Sequence, residues 1–268
     1  MQVRYIIGPE GNVDPADRGL AYGDGLFETI ALRAGTLQRL GSHFARLRLG
    51  CERLRIPLPD LAELETRCRA AAAGIDRGQL KLILTRGSGP RGYAPPPAPI
   101  PTVILSASAS SARAQTEITL AQLQQRLGIN ETLAGIKHLC RLEQVLGRLE
   151  LESLDADEGL MLCTNGTVVG GTSRNLFAVF GQTLVTPDLS CAGICGVMRR
   201  AVLEHCQTLS IPVSQVDLAP EELLHADEVF MTNALVGIQS VSRLDKHAFA
   251  LRAMASRLRT ALDLDDHA

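Results

Sequence analysis

Apolar and polar positions alternate between strand-like and helical spacing along the chain. Near the N-terminus, Gly25-Leu26-Phe27-Glu28-Thr29-Ile30-Ala31-Leu32 reads as a strand that stops at an Ala34-Gly35 turn. Behind it Phe44, Leu47, Cys51 and Leu54 recur at helical spacing with arginines between them, which predicts a helix over about 42–55. Strands over 81–85 and 101–106 flank a loop rich in glycine and proline. The small-residue run Ser106-Ala107-Ser108-Ala109-Ser110-Ser111-Ala112-Arg113 reads as a linker and places a domain boundary near residue 112. Beyond it the pattern predicts a strand over 117–123, a helix over 141–154 and a hairpin over 160–170 around Asn165-Gly166. A second hairpin follows over 175–187 around Gly181-Gln182, then a helix over 196–209, a strand over 228–232 and a C-terminal helix. The fold class is therefore α+β in two domains: a smaller one over 1–112 and a larger one over 113–268, with glycine-rich turns set to border a cleft.

Composition narrows the function. The 268 residues are 46% hydrophobic, enough for a full core, and the net charge is −2 with acids and bases mixed along the chain. No basic stripe is present, aromatics are 3% and there is no Trp, so nucleic acid is set aside as a partner. The apolar runs are broken within about ten residues and the N-terminus carries no signal-peptide pattern, so the reading is no membrane span and a cytoplasmic protein. Seven irregularly spaced cysteines fit buried thiols in a reducing compartment, and Cys191 with Cys195 lacks the second ligand pair a metal site needs, so no metal is expected.

The chemistry starts at a lysine. The 27 cationic residues are 24 Arg and only Lys81, Lys137 and Lys246, and Lys137 sits in the apolar stretch Leu133-Ala134-Gly135-Ile136-Lys137-His138-Leu139-Cys140. Arginine stays protonated in a protein, whereas a desolvated lysine can supply a free amine as nucleophile, base or Schiff-base partner. Arg46, within His43-Phe44-Ala45-Arg46-Leu47, is suited to gripping a phosphate. Gly193-Ile194-Cys195-Gly196-Val197-Met198 leads directly into a helix, whose first amides form an anion site. Thr232-Asn233-Ala234 leaves a strand with backbone amides able to face an anion. Each has an ordinary structural explanation alone; a Schiff-base lysine with a doubly supported phosphate site points to pyridoxal phosphate (PLP).

Arg18-Gly19-Leu20-Ala21-Tyr22-Gly23-Asp24-Gly25-Leu26-Phe27-Glu28-Thr29 resembles the N-terminal signature of the fold-type IV PLP enzymes, the family of the branched-chain and D-amino-acid aminotransferases and the aminodeoxychorismate lyases. The resemblance continues in family order through the lysine and arginine strings, Asn175-Leu176-Phe177, Gly196-Val197-Met198-Arg199 and 226–234. It implies a D-amino-acid aminotransferase-like fold and a homodimer, with the lysine carried by the second domain. It also implies that Lys137 holds PLP as a Schiff base, that Arg46 and the backbone of Val197 and Met198 bind its phosphate, and that Asn233 and Ala234 border phosphate and substrate. Three strings, 85–93, 133–145 and 232–235, resemble the lyases more than the transaminases. That implies conversion of 4-amino-4-deoxychorismate to 4-aminobenzoate and pyruvate, with Lys137 as the base. Thr29 would hydrogen-bond Lys137 or the leaving group, and Arg91, with Arg86 as second choice, would take a substrate carboxylate. The runner-up is a D- or branched-chain amino-acid aminotransferase. One position departs from the family pattern: where a glutamate usually stands five residues before the Asn of Asn-Leu-Phe to serve the pyridine nitrogen, this chain has Gly170.

Overall fold

The computed structural model describes residues 2–8, 11–110, 115–262 and 264. The chain divides into two units, Met1–Ala112 with Ile136–Cys140, and Arg113–Gly135 with Arg141–Ala268. The first contains β1 (Arg4–Ile7), α1 (Arg18–Tyr22), β2 (Gly25–Arg33), β3 (Thr36–Leu37), α2 (Leu40–Leu54), α3 (Leu61–Ala71), β4 (Gly78–Thr85) and β5 (Thr102–Ala109). Its sheet runs β1-β5-β4-β2-β3, with β1 parallel to β5 and the other neighbours antiparallel. Side chains alternate across β2: Leu26 and Glu28 face α2, which leaves Phe27 and Thr29 on the opposite face. Helix α2 lies close because Gly50 carries no side chain there; a Cβ would stand 2.6 Å from Leu26 Cδ2.

The second unit contains β6 (Glu117–Leu127), α4 (Leu142–Leu151), β7 (Glu158–Cys163), β8 (Val168–Gly171), β9 (Asn175–Phe180), β10 (Thr183–Pro187) and α5 (Val197–Thr208). It continues with β11 (Val213–Val216), α6 (Pro220–Leu223), β12 (Glu228–Asn233), β13 (Gly237–Leu244), β14 (His247–Ala248) and α7 (Ala253–Ala261). The strands form one sheet in the order β11-β10-β9-β12-β13-β6-β7-β8, with β14 paired to β13. Leu176, Val229 and Met231 join one core with Leu120, Leu160 and Val241. Phe177 and Phe230, stacked with centroids 5.1 Å apart, join another with Met198 and Val202 of α5 and Leu258 of α7. Covering on both faces explains why β9 and β12 read as apolar runs rather than as alternation.

Two expectations change. Ser106–Ala109 is not linker but the end of β5, paired residue by residue to β4; Ser and Ala carry no strand signal, and the long partner strand decides the matter. The boundary expected near residue 112 falls in 111–114, outside the described residues. The lysine segment Ile136–Cys140 packs with the first unit rather than the second. Its backbone is held to β2, Phe27 N–H donating to Lys137 O (2.9 Å) and Leu139 N–H to Gly25 O (3.0 Å).

Candidate active site

Strand pairing puts Lys137 beside an aromatic ring. The backbone bridge between Leu26 and His138 sets the segment against β2, and the half-buried Lys137 directs its Nζ to 4.2 Å from the centroid of Phe27. A cation over a ring face is attracted by the quadrupole, which gives the flexible amine one address on this sheet face. Thr29, two residues on, shares that face and is half-buried.

On the opposite face of β2, Arg46 meets an acid that the sequence did not single out. Glu28 is 1% exposed and receives Arg46 Nε at Oε1 (2.8 Å) and Arg46 Nη2 at Oε2, while His43 Nδ1 lies 2.6 Å from Oε2. Burial pushes the Glu28 carboxyl up, but the Arg46 charge and the hydrogen bonds from Arg46 and His43 outweigh it and hold the group below its ordinary value. Glu28 thereby fixes the plane of the Arg46 fork. In the sequence it looked like one more strand residue, because the partners that burying a charge demands stand 15 and 18 positions away.

The loop arginines separate. Arg86, 8% exposed, binds Asp24 through Nε (2.8 Å) and Nη2 (3.0 Å) and donates to the carbonyls of Arg55 and Leu54 (both 2.8 Å). Its fork ties β4 to α2, which corrects its reading as a substrate ligand. Arg91 is exposed on a loop that Arg18 pins by donating to the carbonyls of Gly92, Tyr93 and Ala94.

In the second unit three elements converge on the start of α5. Asn175 of β9 lies opposite Thr232 of β12, accepts the Gly196 N–H at Oδ1 (3.1 Å) and donates to Ile194 O (2.8 Å). Gly196, the N-cap, supplies no side-chain acceptor, and a Cβ there would stand 2.0 Å from Asn175 Oδ1. The first-turn amides of Val197 and Met198 thus begin a 12-residue helix without a capping side chain, an arrangement suited to an anion. Thr232 Oγ1 is buried with no hydrogen-bond partner among the described residues. In the neighbouring turn Asn233 Oδ1 accepts the N–H groups of Leu235 (3.0 Å) and Val236 (2.9 Å), so its side chain holds the turn.

Gly170, on β8, has φ +151°, and a Cβ there would come within 2.7 Å of Arg174 O. The nearby acid is Glu158, fully buried, which accepts from Thr172 N (3.0 Å), Ser173 Oγ (2.9 Å) and Arg174 Nη1. Its carboxyl is raised by burial but lowered further by Arg174 and these hydrogen bonds, so it holds the 172–174 turn as an anion. Among the described residues no cluster of His, Cys, Asp or Glu is arranged to hold a metal, and no helix is long and apolar enough to cross a membrane.

The chain matches the model of the amino-transferase class IV family over residues 25–244. It belongs to that family. It is 34% identical over 263 residues to aminodeoxychorismate lyase of Vibrio harveyi, covering 95% of this chain and 97% of the relative. Its fold superposes with a TM-score of 0.89 on the crystal structure of 4-amino-4-deoxychorismate lyase from Pseudomonas aeruginosa, at 44% identity and 96% coverage of each chain. D-alanine aminotransferase of Bacillus licheniformis is more distant, 27% identical over 93% of this chain and 90% of its own. The fold is thus the two-sheet α+β fold of the class IV enzymes, and these are PLP enzymes. The residues present fit that cofactor: a lysine amine on an aromatic ring, uncapped helix amides, and an orphaned buried hydroxyl at a strand end.

Proposed function

We propose that the chain is a PLP-dependent lyase converting 4-amino-4-deoxychorismate to 4-aminobenzoate and pyruvate, a step of folate synthesis. The observation that carries this reading is likeness to lyases over essentially the whole chain, 44% identical with 96% coverage of both. Lys137 holds the cofactor. Arg46 and the backbone of Val197 and Met198 take its phosphate, and the Asn233-Ala234 turn borders phosphate and substrate. When bound, PLP would supply an electron sink for the carbanion next to the substrate amine. Lys137 Nζ then removes the proton at substrate C4. The C3–O bond breaks, the ring becomes aromatic, and the Lys137 ammonium returns a proton to the enolpyruvyl methylene to give pyruvate. Thr29 donates a hydrogen bond to Lys137 or to the leaving oxygen, and Arg91 takes a substrate carboxylate.

Two measurements separate this from amino-acid transamination. Purified protein should release 4-aminobenzoate from aminodeoxychorismate, and D- or branched-chain amino-acid donors should leave the bound cofactor's absorbance largely unchanged. Rapid bleaching by an amino acid, with no 4-aminobenzoate formed, would replace the lyase by an aminotransferase.

For the phosphate, Arg46→Ala should weaken PLP binding by about 1.5–3 kcal/mol. Arg46→Lys should recover only part, because a point charge cannot reproduce the fork that Glu28 orients. Equal PLP affinity in wild type and Arg46→Ala, by fluorescence titration of the apoprotein, would make Arg46 a packing residue.

The active species is a homodimer. Leu142, Val145, Leu146 and Leu149 form one exposed apolar face of α4, supporting association. Light scattering should give twice the 28.8 kDa chain mass, and a monomer at micromolar concentration would remove this part. Seven free cysteines are in keeping with a cytoplasmic enzyme.

A further inference from the structure

Three arginines gather at the far end of β2. Arg33 closes that strand one step beyond the Leu32–Gly78 pair, so the residue across from it is Arg77. Alternation puts both side chains on the Phe27 face of the sheet, about 20 Å along the strand from Phe27 itself. The backbone there is tied down: Gly35 N–H donates to Asp76 O (2.9 Å), Ser110 N–H to Arg77 O (3.0 Å) and Gln38 N–H to Ala31 O (2.8 Å). Arg39 follows Gln38 with φ +52°, the left-handed region that a residue with a side chain seldom takes. All three arginines are half-buried. Burial first, and then the charges of Arg77 and Arg39, hold Arg33 below the ordinary arginine pKa. Arginine stays protonated in spite of this, so the like charges keep facing one another. An oxyanion set among them relieves the repulsion and meets each guanidinium as a fork.

We propose that Arg33, Arg39 and Arg77 form a second oxyanion site, separate from the cofactor's, that takes a phosphate group. The site is independent of the lyase reading. Charge selects phosphate over carboxylate: a phosphate group brings roughly two negative charges and three acceptor oxygens to three cations, more than a carboxylate offers. A ligand held there binds the folded chain and not the unfolded one, so it raises stability. It also braces the strand on which Phe27 and Thr29 stand, at the opposite end from the lysine segment.

Calorimetry and thermal melts on the holoenzyme, with the cofactor's own phosphate site filled, test this with two probes at an ionic strength held constant by chloride. Inorganic phosphate should bind and raise the melting temperature, and glycerol phosphate asks whether an attached organic group is accepted. Equal or tighter binding of the ester assigns the site to a phosphorylated metabolite, and tighter binding of phosphate assigns it to the free ion. In either case Arg33→Gln combined with Arg77→Gln should raise the phosphate Kd at least about tenfold, the scale of a lost hydrogen bond to a charged group. Arg77→Lys should keep part of the affinity, because the charge remains without the fork. Without phosphate the double variant should melt no lower than wild type, since two like charges are gone, and PLP occupancy and turnover should not change. A wild-type holoenzyme that binds neither probe at millimolar concentration, or an unchanged Kd in the double variant, would overturn the site. A lower melt of the double variant in phosphate-free buffer would make these arginines structural and overturn it as well, and each of these results leaves the lyase reading standing.

Discussion

Lys137→Ala is expected to abolish turnover, with a loss of at least about a thousandfold, since it removes the cofactor's covalent attachment and the group that moves the proton. The bound-cofactor absorbance should shift or vanish in the same variant. Borohydride reduction of the wild-type holoenzyme followed by peptide mapping should label Lys137. The control lies in the structure, because Lys81 shares the Phe27 ring and is the obvious competitor for the label. Lys137 differs in being half-buried, with its backbone pinned to β2, whereas Lys81 is exposed. Label on Lys81 or Lys246, or full turnover by the alanine variant, would exclude the assignment.

Gly170→Glu, which would restore the carboxylate usual in the family, should fail as a gain of function and register instead as a loss of stability of about 2–4 kcal/mol. The glycine has φ +151°, a region L side chains rarely adopt, and its Cβ would stand 2.7 Å from the backbone carbonyl of Arg174. Backbone cannot yield as a side-chain tip can, and the adjoining turn is held by Glu158 through residues 172–174. From sequence alone, two results were open for this substitution: added transaminase activity if the carboxylate reaches the pyridine nitrogen, or mere destabilisation. The steric finding favours the second. With no carboxylate at position 170, the wild type is expected to be a poor transaminase, because transamination leans on a protonated ring as electron sink, while the lyase reaction is driven by formation of an aromatic ring. Thermal melts and both activities should be measured in the two proteins. A Gly170→Glu variant as stable as wild type with raised transamination would refute the steric argument, and robust wild-type transamination would remove the link between Gly170 and the lyase reading.

Elements with strong local signals were readable in the chain. Helix α2 announces itself by Phe44, Leu47 and Cys51 at helical spacing, and the turns at Asn165-Gly166 and Gly181-Gln182 join β7 to β8 and β9 to β10. The end of β5 was not, because Ser106-Ala107-Ser108-Ala109 has no strand propensity and is extended only by its pairing with β4. Arg86 shows the same limit in the site: a loop arginine looks available for a ligand until Asp24, 62 positions away, is found in its fork.

What the sequence determined by itself was the inventory of chemistry: a lysine in an arginine-rich chain, a glycine opening α5, a glycine at position 170, and ordered motifs sufficient for the family. Those are properties of single residues and their neighbours, which spacing and side-chain type express directly. What only the tertiary structure decided was pairing across distance. Glu28 meets Arg46 and His43, Lys81 joins Lys137 over Phe27, Asn175 locks Gly196, and Ile136–Cys140 packs with the first unit. The physical reason is that a buried charge or an ordered amine needs a partner in space, and sheet register, which no local pattern encodes, chooses which residues those partners are.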